Sequence, residues 1–171
     1  MSTSIARHPP SEAGRQLVAQ LGKIGPAALA TLRRAAGRPL GPNVETYDIF
    51  RDLFRSVRGH GPTPKWVCEF IITLYPSNML PNGKGSLAEA LTAVRPHRSE
   101  KENRDRADQR LSRLLDCRER RALFTELLAA VRHLAQVKTA IDWARLFDDL
   151  SRWFRAGHPT QNDWATDYFQ D

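Results

Sequence analysis

The stretch DWARLFDDLSRWF, residues 142–154, indicates the fold class of this chain most directly. Its apolar side chains recur three and four residues apart, which is the spacing of one face of an α-helix. These side chains are Trp143, Leu146, Phe147, Leu150, Trp153 and Phe154. Asp142 is predicted to begin the helix, and Gly157 and Pro159 are predicted to end it. The stretch therefore predicts a helix with a buried aromatic face.

The same apolar spacing extends outward over most of the chain, whereas alternating runs bounded by hairpin turns are hard to find. Further helices are predicted over residues 11–21, 26–37, 44–59, 65–75, 86–94 and about 105–115, over a long segment begun by Asp116, and over a short final segment from Thr160. The segment 65–75 would also suit a buried strand, but the helical spacing of its large side chains favours a helix. We predict an all-α fold.

Local signals place several helix ends. Gly37 is predicted to end the second helix and Asn43 to cap the third. Ser86 and Glu89 have the spacing of a capping box, and Glu119 stands in the equivalent position after Asp116. These signals divide the chain into short helices separated by turns.

The polar segment RPHRSEKENRDR, residues 95–106, has no apolar residue that could anchor it. We therefore predict two small helical bundles joined by a polar, charged linker: an N-terminal helical domain over 1–94, a linker over 95–104 and a C-terminal bundle over 105–171. The loop PSNMLPNGKG, residues 76–85, is rich in turn residues and is expected to be exposed.

The charge of the chain favours a polyanionic partner. The formal net charge is +7 and the pI is near 10. Residues 1–94 hold 11 Lys or Arg and 6 Asp or Glu, residues 95–121 hold 10 and 6, and residues 122–171 hold 5 and 7. The positive charge thus ends at Arg121, and the last helices are expected to serve another purpose.

Two predicted helices carry arginines at i, i+4 and i+7, which places three guanidinium groups on one helix face. With other basic residues nearby they form the candidate nucleic-acid-binding set: Arg33, Arg34, Arg51, Arg55, Arg58, Arg106, Arg110, Arg113, Arg118 and Arg121. Each ladder alone also fits an ordinary solvated face with local ion pairs. No base-reading motif accompanies the arginines, so the expected contact is with backbone phosphates, indifferent to base sequence.

Signals for other chemistry are weak. The five histidines show no metal-ligand spacing and no phosphate loop is present, so neither a metal nor a cofactor is expected. The spacing of Arg152 and His158 resembles that of HEPN-type ribonucleases, although so many arginines produce such a match by chance. The two cysteines suit buried thiols in a reducing compartment, and no segment has the roughly 18 apolar residues of a membrane span. We expect a cytoplasmic protein that is not an enzyme.

Several motifs resemble those of one family. QRLSRLLDC (109–117) is similar to its basic helix, AIDWARLFDDLSRW (140–153) to its aspartate–tryptophan helix, and NDWATDYF (162–169) to its terminal element. LRRAAG, FIITLYPSN and GSLAEAL are similar to weaker N-terminal features. On these motifs the chain resembles the CasB family, the small subunit of the type I-E CRISPR Cascade complex. Gln109 stands where the family often has arginine.

This resemblance implies an all-helical, non-catalytic subunit, present as a pair, that bridges the backbone and large subunits of a crRNA-guided complex. Its basic surface would help to hold target DNA strands in the R-loop, with Arg110 and Arg113 in the family's basic motif and Arg106, Arg118 and Arg121 nearby. Two alternatives remain open from the residues: a helical scaffold that binds a protein partner through its tryptophan-rich helix, and a HEPN-like ribonuclease that uses Arg152 and His158.

Overall fold

A computed structural model of the chain describes residues 8–36, 38 and 44–169. These residues form nine α-helices and one short 3-10 turn, Tyr75–Ser77, and contain no β-strand. The helices are α1 (Glu12–Leu21), α2 (Pro26–Ala35), α3 (Val44–Val57), α4 (Lys65–Leu74), α5 (Leu87–Ala93), α6 (Lys101–Leu115), α7 (Arg120–Gln136), α8 (Trp143–Ser151) and α9 (Pro159–Phe169). The predicted all-α fold is confirmed. The predicted caps Gly37 and Asn43 lie outside the described residues.

The polar caps that the sequence predicts at two helix starts are formed. Ser86 Oγ accepts a hydrogen bond from the Glu89 N–H at 3.2 Å, while the Glu89 carboxylate accepts one from the Ser86 N–H at 2.7 Å. At the start of α8, Asp142 Oδ1 accepts a hydrogen bond from the Arg145 N–H at 2.9 Å. Because each cap satisfies backbone donors that lack an intrahelical partner, these helices begin where short-range chemistry places them.

Other helix ends differ from the prediction. Asp116 caps the end of α6 and does not begin α7, whose N-cap is Glu119. The reason is a tight reversal in which the Asp116 N–H bonds Ser112 O and the Cys117 N–H bonds Leu114 O. Helix α8 ends at Ser151, well before Gly157, so Phe154 lies in the following turn and is 41% exposed. The prediction that Phe154 belongs to the buried face is therefore wrong.

The core draws on helices from the whole chain. Helix α1 packs against α3 and α8, α4 packs against α8, and α5 packs against α9. Helices on both sides of residues 95–104 thus contact one another, and α6 begins at Lys101 within that segment. The division into domains 1–94 and 105–171 stays a prediction.

Two of three buried tryptophans connect the core to the backbone of distant segments. Trp143, Trp153 and Trp164 are all buried, which for Trp143 and Trp153 agrees with the predicted buried aromatic face. The Trp143 Nε1–H donates to Asn78 O at 3.0 Å, and the Trp153 Nε1–H donates to Cys117 O at 3.2 Å. A buried indole that finds an acceptor contributes both apolar area and a directional constraint. These bonds fix α8 and the turn after it against the rest of the fold.

The loop over residues 76–85 is anchored rather than wholly exposed. Asn78 is buried, and its amide Nδ2 donates to Thr139 O at 2.9 Å. Gly83 lies so close to the chain at Ile141 that a Cβ placed on it would fall 2.1 Å from the Ile141 carbonyl carbon. The expectation of an exposed loop holds for its tip and is wrong for these two positions. No helix in the described ranges is long and apolar enough to cross a membrane.

Candidate nucleic-acid interface

Five of the ten candidate arginines lie on α6, on α7 and on the turn between them. Helix α6 carries Arg106, Arg110 and Arg113, while Arg118 lies in the turn and Arg121 in the first turn of α7. On α6 the buried side chains are Leu111 and Leu114, each 1% exposed. These leucines hold one face of the helix against the core, so Arg106 and Arg113 are exposed, whereas Arg110 is half-buried. We call these five residues the α6–α7 arginine group.

Three members of this group line one open cavity of about 740 Å³ at the α6–α7 turn: Arg113, Arg118 and Arg121. Asp116, Glu119 and Glu126 line the same cavity, so the formal charges of the lining cancel. Arg113 Nε lies 3.6 Å from the Glu126 carboxylate. Because the Arg113 side chain is 60% exposed, solvent screens this pair and a phosphate can compete for the guanidinium.

Ion pairing separates the α6–α7 arginine group into two kinds. Arg106 pairs with Glu102 one turn before it, and Arg113 pairs with Glu126. The remaining three make no ion pair within the described part of the chain: Arg110, Arg118 and Arg121. Burial, and secondly the charge of Arg110, lower the pKa of His133 on α7.

The other five candidate arginines lie on α2 and α3 or directly after α3, and these two helices pack against each other. Arg33 and Arg34 occupy the last turn of α2, where Arg33 contacts Met79 Sδ at 3.6 Å and Arg34 donates to Thr31 Oγ1 at 3.0 Å. Arg51 pairs with Asp48 at 3.2 Å.

Arg55 and Arg58 complete this second group. Both are exposed and make no ion pair to any residue that the structure describes. Arg55 lies in the last turn of α3, and Arg58 follows the end of that helix at Val57. The candidate set therefore forms two groups, and free cations occur in both.

Sequence reasoning missed an aromatic cluster beside the α6–α7 turn. The Arg120 guanidinium lies 5.2 Å from the centroid of the Trp66 ring. Trp66 contacts Phe154 with a centroid separation of 5.4 Å and meets Phe70 edge to face at 5.1 Å. Phe70 in turn meets Phe124 at 5.1 Å. No local motif joins these residues, because α4, α7 and the turn after α8 bring them together.

A second missed feature is a charged clasp formed by Arg95, Asp108 and Tyr168. The guanidinium of Arg95 donates two hydrogen bonds of 2.8 Å to the Asp108 carboxylate, and the Tyr168 hydroxyl donates a third of 2.9 Å. The Arg95 side chain is only 9% exposed and stacks 4.6 Å from the Tyr168 ring centroid. The bonds from Arg95, with help from Tyr168, hold the pKa of Asp108 below its usual range. Arg95 is therefore a structural residue and not a free cation.

The surroundings of Arg152 and His158, the two residues of the ribonuclease alternative, are those of structural residues. Arg152 Nη2 lies 3.1 Å from Oδ1 of Asp149, a carboxylate that is 1% exposed and also accepts from the Trp164 indole at 2.9 Å. Burial raises the pKa of Asp149, and these donors oppose the shift. His158 is exposed in the turn before α9, with a positive φ of 49°. Within the described ranges, no group of three or more His, Cys, Asp or Glu could hold a metal ion.

Comparison with known proteins agrees with this fold. The structure resembles CasB from Thermus thermophilus, with 25% identity, a TM-score of 0.71, and coverage of 94% of this chain and 99% of that one. It also resembles TTHB189, a CRISPR-associated protein of the Cse2 family from the same species, with 25% identity, a TM-score of 0.70 and the same coverage. The fold is shared with M. ruber CasB at 20% identity, with a TM-score of 0.73 and 93% coverage of both chains.

The family comparison covers most of the chain. No curated protein matches the chain. The family described as CRISPR-associated protein Cse2 matches residues 28–169, which include both arginine groups, the clasp and the aromatic cluster. This match confirms the resemblance inferred from the three C-terminal motifs: the chain belongs to the Cse2, or CasB, family of CRISPR-associated proteins.

Proposed function

We propose that this chain is the non-catalytic small subunit of a type I-E CRISPR Cascade complex and that it stabilises the R-loop through contacts with DNA strand backbones. The observation that carries the proposal is the α6–α7 arginine group in a member of the Cse2 family. Its partners would be the backbone and large subunits, the crRNA they hold, the target DNA strands and a second copy of itself. A cytoplasmic location is part of the same proposal.

Such a subunit can assist strand exchange without catalysing a reaction, because the exchange is nearly balanced in free energy. A guide heteroduplex is about as stable as the DNA duplex that it replaces, so modest protein contacts can shift the balance. Arginine suits this task because its planar fork binds two phosphate oxygens at once and stays charged at any physiological pH. Contacts of this type do not depend on base sequence.

The candidate arginines differ in what they must give up to reach a phosphate. Arg110, Arg118 and Arg121 make no ion pair in the part of the chain that the structure describes, so we assign them the principal contacts. Arg106 and Arg113 must exchange a carboxylate for a phosphate, which costs little at exposed positions. The α2–α3 residues form a second contact region: Arg33, Arg34, Arg51, Arg55 and Arg58.

The test measures binding of a fluorescently labelled single-stranded DNA across a salt series. For the wild-type chain, log affinity should fall linearly with log salt, by about 0.7 for each phosphate contacted. An Arg110→Glu, Arg113→Glu variant should lose most of this binding. The control is Arg132→Glu, which reverses one charge at an exposed position further along α7, and it is compared with the single variant Arg110→Glu. Equal loss in these two single variants would show that only net charge matters.

Assembly is tested separately. The chain should co-purify with crRNA and the other Cascade subunits when all are produced together, and the double variant should still do so. A chain that remains a monomer in their presence would contradict the assignment to Cascade, whatever its affinity for DNA.

A further inference from the structure

The aromatic cluster beside the α6–α7 turn runs from the core to the surface. Its inner ring, Phe124, is 6% exposed, Phe70 and Trp66 are half-buried, and its outer ring, Phe154, is 41% exposed. Each ring contacts the next at a centroid separation of 5.1–5.4 Å. Because the inner rings belong to α4 and α7, the outer ring rests on rigid elements. We call Trp66, Phe154 and Arg120 the aromatic patch.

A single exposed phenylalanine needs no explanation on a protein surface. This one differs in its surroundings, since it lies against Trp66, whose ring is covered by the Arg120 guanidinium. Arg155 follows Phe154 and is exposed. On α4, Lys65 lies 3.9 Å from Glu69, so the charges of that pair offset each other.

The charge beside the patch extends into the proposed phosphate-binding region. Arg118 and Arg121 flank Arg120 in the sequence and line the cavity at the α6–α7 turn. An apolar ring beside several cations is complementary to a single nucleic-acid strand, whose bases are flat and whose backbone is anionic. Glu119, which also lines the cavity, directly precedes Arg120, so one acidic residue lies among the cations Arg118, Arg120 and Arg121.

We propose that the aromatic patch binds an unpaired nucleobase, which stacks on the open ring of Phe154 while the neighbouring arginines hold the phosphates on either side of it. The proposal rests on the proposed function and adds to it a contact with a base, in place of contacts with the backbone alone. Every base presents a π-face, so this contact is tolerant of sequence. It favours a displaced or splayed single strand over a duplex, whose bases are stacked on each other.

The experiment compares two oligonucleotides of equal length and charge, an oligothymidylate and an abasic backbone, both labelled, with the full-length chain at low salt. Phosphate contacts are common to both probes, whereas stacking is possible only with the first. The wild-type chain should bind the thymidylate about tenfold more tightly, the size of one base-aromatic contact. Phe154→Ala should remove this preference and leave affinity for the abasic strand unchanged.

The matched control is Phe169→Ala, because Phe169 is 45% exposed and contacts a different set of side chains, Tyr168 and Arg95. It should keep the tenfold preference. Intrinsic fluorescence gives a second measurement on the wild-type chain. Trp66 is more exposed than the three buried tryptophans, so thymidylate should quench the emission and the abasic strand should not.

Three outcomes would overturn the proposal. Equal wild-type affinity for the two probes, with a salt-dependent slope, would leave the phosphate contacts standing and favour a protein partner for the patch. A preference that survives Phe154→Ala would place base stacking elsewhere. Binding of neither probe at low salt would remove both this proposal and the proposed DNA contact.

Discussion

The clasp formed by Arg95, Asp108 and Tyr168 yields a prediction about stability. Arg95 follows α5, Asp108 lies on α6 and Tyr168 lies on α9, so one carboxylate holds three parts of the fold together. The change to make is Asp108→Asn, which keeps the size of the side chain. The amide oxygen can still accept from Tyr168 and from one nitrogen of Arg95, but the amide NH₂ then faces the second nitrogen, which is also a donor.

The expected cost follows from what Arg95 loses. Its guanidinium is 9% exposed and keeps its charge, while one charge-assisted hydrogen bond and the compensating carboxylate disappear. Breaking a fully buried pair costs about 3–5 kcal/mol, but the Asp108 side chain is 27% exposed, so water can screen part of the charge. We expect a loss of about 2–3 kcal/mol in the free energy of unfolding. For a chain of this size, that lowers Tm by about 4–12 °C.

Urea and thermal unfolding followed by circular dichroism measure this loss. The matched control on the same helix is Glu102→Gln, which breaks the Glu102–Arg106 pair, whose side chains are 80% and 68% exposed. That change should cost less than about 0.5 kcal/mol. If Asp108→Asn were as stable as the wild type, or if the control lost as much as Asp108→Asn, the reasoning would be refuted.

The clasp also predicts a pH dependence. The pKa of Asp108 is lowered from its ordinary value of 3.8, mainly by hydrogen bonds from Arg95. A carboxyl whose pKa is lower in the folded chain stabilises it above the unfolded pKa, and this contribution disappears as pH falls through the folded pKa. The stability difference between wild type and Asp108→Asn should therefore be complete at neutral pH and should shrink below pH about 4. A difference that persisted unchanged there would contradict the role of the carboxylate charge.

Two further changes test the packing of distant segments. Gly83→Ala should lower the free energy of unfolding by about 2–3 kcal/mol, because the new Cβ would fall 2.1 Å from the Ile141 carbonyl carbon. The control Gly22→Ala, whose Cβ has its nearest contact at 3.6 Å, should leave the urea midpoint almost unchanged. Equal midpoints for the two variants would refute the close approach at Gly83. Trp164→Phe should lower the free energy of unfolding by about 2 kcal/mol, because the buried Asp149 carboxylate loses the indole donor at 2.9 Å. An unchanged urea midpoint would show that this hydrogen bond does not stabilise the fold.

Much of the fold was predictable because helix spacing and caps are local signals. The buried face of α8 and the box at Ser86 depend on residues within one or two turns, and both predictions are confirmed except at Phe154. The start of α7 was missed because Asp116 is held at the end of α6 by a chain reversal. That reversal lies next to Cys117, whose carbonyl accepts from Trp153, 36 residues further along the chain. A short sequence motif does not show which distant residue will contact it.

The arginines show the same limit on prediction of the site. Helical spacing correctly predicted that Leu111 and Leu114 are buried, while Arg106 and Arg113 are exposed, because that depends only on which face is apolar. It could not show that Arg113 meets Glu126 of α7, or that Arg120 covers Trp66 of α4, since those neighbours come from other helices. A guanidinium that already has a partner must exchange it before it can bind DNA, whereas an unpaired one loses nothing. We therefore predict that a strand binds most strongly at the arginines that make no ion pair in the described part of the chain, rather than where the sequence has most arginines.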